Sequence, residues 1–179
     1  MNTQRLLLAI INVLGGIAVL GSYVYGIATH DDAARVLWGG VPESLRPLYQ
    51  ASMLAAAVGY LAFTWFVFFR VDPEAARLPG GLGYAAFNVL YLVILVPSAT
   101  WMSLTFAYAA QPGAWRFALV RAVLLTVGLG AAVMVAAVAA VEPRDYPGAR
   151  LLGICGAAAF AFHTLVLDAI VWPWYYRGA

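Results

Sequence analysis

The sequence predicts an all-α integral membrane bundle of five transmembrane helices, and three observations support this fold class. Hydrophobic residues make up 64% of the chain and charged residues 10%, whereas a soluble domain carries about 25% charge. Five apolar segments each reach the ~20 residues that a helix needs to cross a bilayer. Proline, glycine and charged residues, which favour turns, separate most of these segments. We therefore expect a multi-pass protein of a bacterial inner membrane, in contact with the lipid bilayer.

The five segments form one predicted domain, 1–179, in which no internal repeat is visible. The predicted spans are 6–28, 47–70, 83–108, 116–141 and 151–173. The first segment resembles a signal peptide in its pattern, but its apolar run is long enough to span, so we interpret it as the first helix. Pro47 suits the first turn of the second helix. The connection 29–46 is the longest, and "DDAARVLW" within it predicts a short interfacial helix.

Small residues recur four positions apart on four of the spans. The stripes are Ala18, Ser22 and Gly26; Ala51, Ala55 and Gly59; Gly128, Ala132, Ala136 and Ala140; and Gly153, Ala157 and Ala161. In lipid, such stripes allow helix backbones to approach closely. They predict a compact bundle, and one of them is also a candidate contact for a homo-oligomer.

The two ends of the predicted bundle differ in their aromatic content. The first loop, the third loop and the C-terminus share one side, which holds Trp38, Trp115, Trp172, Trp174, Tyr175 and Tyr176. Aromatic rings favour the headgroup region, so this side is either an interfacial belt or an aromatic-lined mouth. Arginines are almost equally divided between the sides, with Arg177 assigned to the aromatic one. We expect a cytoplasmic N-terminus.

Three ionisable residues lie inside the predicted spans, where charge is costly and often functional. Arg121 and Asp168 each lie five residues from the aromatic end of consecutive antiparallel helices, so we predict that they form an ion pair. The alternative is that Arg121 extends to the membrane surface while Asp168 stays protonated or hydrated. His163 and Asp168 are five residues apart, about 140° around an α-helix, so no His–Asp dyad is expected from this helix.

Polar and aromatic side chains around the level of Asp168 predict a half-membrane cavity near the aromatic face. Pro97 should bend the third helix and direct Trp101 towards the interior. Ordinary hydrogen bonding between helices is the alternative explanation. His163 is a candidate ligand for the metal of a tetrapyrrole or, more simply, a partner of a neighbouring serine, tyrosine or carbonyl group. The candidate ligand-binding residues are Tyr23, Tyr49, Gln50, Trp101, Ser103, Arg121, His163 and Asp168.

The composition excludes several kinds of chemistry. The chain has no lysine, so no Schiff base can form, and its single cysteine, Cys155, excludes an intrachain disulfide and a cysteine-rich metal site. A net charge of +2 does not indicate nucleic-acid binding. No catalytic or metal-site motif is present, and the sequence identifies no cofactor.

Three function classes remain open. The first is binding or transport of a small apolar or amphipathic ligand. The second is an accessory subunit of a larger membrane complex. The third is a membrane enzyme, for which the sequence supplies no recognisable set of catalytic groups.

The stretch "LWGGVPESLRPLY", residues 37–49, leads into the second predicted helix. In this stretch, in size, in helix count and in its long first loop, the chain is similar to the tryptophan-rich sensory proteins of the translocator family. The resemblance implies a five-helix bundle that binds porphyrin- or sterol-like ligands. It transfers no binding residue to a numbered position of this chain.

Overall fold

A computed structural model describes residues 2–176 and confirms the all-α class. Five helical stretches are long and apolar enough to cross a membrane, and residues 2–176 contain no strand. The helices are α1 (Thr3–Thr29), α2 (Ala33–Trp38), α3 (Arg46–Arg70), α4 (Ala85–Ala110), α5 (Ala114–Ala140), α6 (Pro147–Ala161) and α7 (Trp172–Tyr175). A π-helical segment, Phe162–Val171, joins α6 to α7, and these three elements form the fifth span.

The helix ends extend beyond the apolar runs because polar and proline residues begin the first turns. Asn2 Oδ1 accepts a hydrogen bond from the Gln4 backbone N–H at 2.8 Å, so α1 begins at Thr3 rather than at residue 6. Pro147 begins α6, ahead of the predicted residue 151, in a position where its missing N–H costs nothing. The short helix predicted from "DDAARVLW" is α2.

The spans pack in the order α1, α4, α5, fifth span, α3. Each contacts the next in this series, whereas α1 and α3 make little direct contact within residues 2–176. The bundle is therefore an open crescent, with a gap between α1 and α3 that faces the lipid. The outer surface of α1 is correspondingly apolar and exposed, with only Leu8, Ile11 and Gly26 buried.

Gly59 of α3 and Gly156 of α6 allow these two helices to approach closely. A Cβ atom added to Gly156 of α6 would lie 2.6 Å from the carbonyl oxygen of Gly59 in α3. Gly153, one turn earlier, would meet the Phe66 side chain at 3.1 Å. Gly59 and Gly153 belong to the predicted small-residue stripes, and their role in close backbone approach is the one expected in lipid.

The aromatic end of the bundle is closed by packed rings and by the first loop. Trp172 Nε1 donates to the Leu37 carbonyl at 2.8 Å, and the Trp172 ring stacks on Tyr176 at 4.1 Å between centroids. Trp38 packs edge-on against Tyr49. We call Trp38, Tyr49, Trp172 and Tyr176 the aromatic cap. Three of these four rings are buried, so the cap is a packed cluster of side chains at this end of the bundle.

Other aromatic residues at the same end fit the interfacial belt. Trp115 is 62% exposed and Trp174 is 80% exposed, as expected for rings at the headgroup level. The assignment of Arg177 to this side lies outside the described residues.

Candidate functional site

A cavity of about 560 Å³ lies in the gap between α1 and α3. Its walls also include residues of α4, α5 and the fifth span, and its surface is mostly apolar. Leu20, Met53 and Leu61 line it and are at least half exposed on the outer surface of the bundle. The cavity therefore opens sideways, towards the lipid chains.

Contacts between elements lie between the cavity and each end of the bundle. The aromatic cap lies on one side. On the other side, Tyr60 OH donates to Asn12 Oδ1 at 2.6 Å. This bond joins α3 to α1 one helical turn before Gly16, which lines the cavity. The lipid-facing gap is thus the most direct entrance for a small molecule.

Two ionisable side chains of the fifth span meet inside this cavity. His163 Nε2 lies 3.4 Å from Asp168 Oδ2, and the two side chains are 12% and 30% exposed. Both residues line the cavity. The prediction that one helix would not bring these two side chains together is wrong. In a π-helix the backbone bonds link residues five apart, so positions 163 and 168 come close to one face.

Contacts from other helices hold the π-helical segment. The Leu167 carbonyl accepts from the Trp172 backbone N–H and also from Tyr49 OH at 2.9 Å. A Cβ atom at Gly128 of α5 would lie 2.7 Å from the Leu165 Cα atom, so only glycine lets α5 approach the segment this closely. Thr164 Oγ1 donates to the Phe160 carbonyl at 2.9 Å.

Ser52 of α3 holds the other nitrogen of the His163 ring. Its Oγ lies 3.2 Å from His163 Nδ1. Serine, histidine and aspartate thus lie in a row, in which Ser52 and His163 are hydrogen-bonded and the His163 ring approaches the Asp168 carboxyl group. Ser52 is buried and does not line the cavity, so a substrate there would not meet its hydroxyl. The contact with Ser52 orients the imidazole so that Nε2 lies towards the Asp168 carboxyl group. Residues 2–176 contain no group of three or more side chains arranged as a metal site.

Trp101 and Tyr23 form the aromatic wall of the cavity. Trp101 Nε1 donates to Tyr23 OH at 2.9 Å, and the rings meet edge to face at 6.1 Å. The inward orientation of Trp101 is confirmed. Helix α4 continues through Pro97, and Ser98 Oγ donates to the Ile94 carbonyl at 2.7 Å; the bend at Pro97 stays a prediction.

Four of the eight candidate residues line the cavity: Tyr23, Trp101, His163 and Asp168. Tyr49 is buried beside it and supports Leu167. The other three, Gln50, Ser103 and Arg121, are exposed and do not line it. The sequence interpretation missed Tyr60 and the small residues Gly16, Ala56 and Ala57, because small side chains indicate close packing as readily as empty space.

The predicted ion pair between Arg121 and Asp168 is wrong. Within residues 2–176, Asp168 contacts His163 and no arginine lies within ion-pair distance of it. Val120 and Leu124 occupy the inward face of α5 and are buried, which leaves the adjacent Arg121 on the outward face. An exposed arginine in a span is typical of a side chain that extends to the headgroups.

The fold defines the class of protein as an integral membrane protein with five candidate spans. Comparison with protein-family models finds no match, and comparisons with curated proteins and with solved structures find no similar chain.

Proposed function

We propose that the protein binds a small apolar or amphipathic molecule that enters from the bilayer through the gap between α1 and α3. The observation that carries this proposal is the cavity of about 560 Å³ with its lateral opening. Small-molecule sites have volumes of roughly 300–1,000 Å³, with apolar walls and few polar groups. The proposed location remains a bacterial inner membrane.

The geometry supports a particular orientation of the ligand. Its apolar part would lie against the walls near Leu20 and Leu61, which face the gap. Its polar end would reach His163 and Asp168, deeper in the cavity. The aromatic cap and the bond between Asn12 and Tyr60 support binding over translocation, because both lie between the cavity and the aqueous sides.

Blocking the cavity at its rim tests the proposal. Ala57 lines the cavity and is exposed, whereas Ala55 on the same helix is exposed and does not line it. We expect Ala57→Phe to fill the entrance and Ala55→Phe to project a ring of the same size into lipid. Both variants should fold, because neither adds volume to the buried core.

The readout is quenching of Trp101 by a brominated fatty alcohol. Subtracting the fluorescence of the corresponding Trp101→Phe protein isolates the signal of this ring. Quenching should occur in the wild type and in Ala55→Phe and should be lost in Ala57→Phe. Equal quenching in both variants would contradict the proposal. Native mass spectrometry in mild detergent complements it: a copurifying small molecule supports ligand binding, and stable copurifying subunits would instead favour an accessory subunit.

A further inference from the structure

Among the described residues, Asp168 is an acid in the cavity without a fixed positive partner. Within residues 2–176, the ionisable side chain that approaches its carboxylate is His163, at 3.4 Å. The arginine ion pairs of the described chain are made at exposed positions, by Arg35, Arg46 and Arg144. Arginine and lysine are absent from the cavity lining. A carboxylate in an apolar region is costly unless a counter-charge or a proton compensates it.

The contact with Ser52 favours one tautomer of His163. When Ser52 donates to Nδ1, the remaining ring N–H lies on Nε2, the atom that is 3.4 Å from Asp168 Oδ2. A neutral imidazole in this tautomer leaves the negative charge of the carboxylate uncompensated. The aspartate is also the more exposed of the two side chains, at 30% against 12%, so the carboxylate has a free surface towards the cavity.

The same cavity contains aromatic rings suited to a cation. Trp101, Tyr23 and Tyr60 all line it. Aromatic faces attract organic cations, and tryptophan does so most strongly. A positively charged group in the cavity would therefore meet a carboxylate and aromatic rings, with no arginine or lysine of the lining to repel it.

We propose that the ligand is an amphipathic organic cation, whose charged group lies against Asp168 and whose apolar body lies along the lipid-facing walls. This inference rests on the proposed ligand-binding function and adds the chemical class of the ligand. An anion would meet the carboxylate of Asp168 with nothing to offset it. A neutral ligand would lack the charge attraction to Asp168, so removal of the charge would weaken its binding less than that of a cation.

The test uses tetraphenylphosphonium and tetraphenylborate, two probes of the same shape and opposite charge. For each probe, cavity-specific binding is the amount bound to the wild type minus the amount bound to the blocked Ala57→Phe variant at the same probe concentration. This correction removes the unequal partitioning of the two ions into detergent and lipid. We expect cavity-specific binding of the phosphonium and none of the borate. Equal cavity-specific binding of the two probes, or a preference for the borate, would overturn the inference. This result would come from the wild-type protein and needs no variant of Asp168.

Variants of Asp168 supply a second, independent arm. Asp168→Asn should weaken phosphonium binding by about tenfold or more, which corresponds to at least ~1.4 kcal/mol. Asp168→Glu keeps the charge and should keep most of the affinity. Arg121→Gln is the matched control, because it removes a charge from a span but lies outside the cavity; its affinity should equal that of the wild type.

The outcomes separate this inference from the proposed function. If the brominated alcohol quenches Trp101 but phosphonium binding is unchanged in Asp168→Asn, the cavity binds ligands and the cation class is wrong. If neither the alcohol nor the phosphonium gives a signal that Ala57→Phe abolishes, the proposed function itself is wrong. Loss of phosphonium binding in Arg121→Gln would also overturn the inference, because it would assign charge recognition to another site.

Discussion

Arg121 and Asp168 are two charges in neighbouring spans that serve different environments. Arg121 lies on the outward face of α5, whereas Asp168 faces the cavity. An exposed arginine whose long apolar stem reaches the headgroups contributes little to the folded state. The energetic cost of the Asp168 carboxylate, in contrast, depends on the nearby His163 ring and on the molecule that enters the cavity.

We predict that these two residues are energetically independent. Arg121→Gln should change the free energy of unfolding by less than ~0.5 kcal/mol, as is usual for exposed positions. Combined with Asp168→Asn, its effect should add to that of the single change within ~0.5 kcal/mol. Unfolding in mixed detergent micelles measures all four proteins. A coupling energy of several kcal/mol would mean that the two charges interact after all.

For single residues, the sequence indicates which side chains are energetically costly in lipid, but it does not indicate which side chains they contact. The cost of ionisable groups in lipid identified His163 and Asp168 as candidates, and both line the cavity. The same reasoning included Arg121, because the depth of a residue follows from its position in the chain, whereas its direction follows from the packing of the helix. Gln50 and Ser103 were included for their polarity and lie on the outside for the same reason.

The π-helical segment is the element on which the geometry of the cavity depends. A π-helical stretch inside a span is rare and often lies at a functional site. Here it brings His163 and Asp168 together, and contacts from α3 and α5 hold it. The sequence of the segment itself does not indicate these contacts. An α-helical period of 3.6 residues therefore places His163 and Asp168 on different faces, whereas the π-helix brings them together.

Gly128 provides a direct test of this element. We predict that Gly128→Ala will destabilise the protein by ~1–3 kcal/mol, because its methyl group would overlap the Leu165 backbone. Gly21→Ala in α1 is the control, since a Cβ atom there meets nothing within 4 Å. That change should be neutral or slightly stabilising, given the better helix propensity of alanine. Thermal unfolding monitored by circular dichroism distinguishes the two; similar stability of both variants would show that α5 and the segment are not in tight contact.

For the whole molecule, five spans place alternate loops on opposite sides of the membrane. We predict that cysteines at Asp31 and Pro112 will be labelled from one side, and cysteines at Ala75 and Asp145 from the other. All four positions are exposed in loops. Single-cysteine proteins in a Cys155→Ala background, treated with a membrane-impermeant maleimide before and after lysis, provide the measurement. Labelling of Asp31→Cys and Ala75→Cys from the same side would exclude this topology.

The fold class was predictable because composition and segment length are properties of the chain itself. The order of the spans around the bundle was not. Adjacent antiparallel helices such as α4 and α5 could be paired from their short loop, but the contact of α1 with α4, and the gap it leaves beside α3, depend on matching surfaces. The cavity is a product of that gap, so it could be suspected from the sequence but not positioned.

The lateral opening has a consequence for how the strength of binding is expressed. A site that is entered from the acyl chains samples the bilayer as its reservoir, not the surrounding water. Each buried methylene adds ~0.8 kcal/mol to partitioning, so a tail of five methylenes enriches a molecule in lipid roughly a thousandfold. Half-saturation would then follow the mole fraction of ligand in the membrane. Adding lipid at constant total ligand would empty the site, and a modest intrinsic affinity would suffice for high occupancy in a cell.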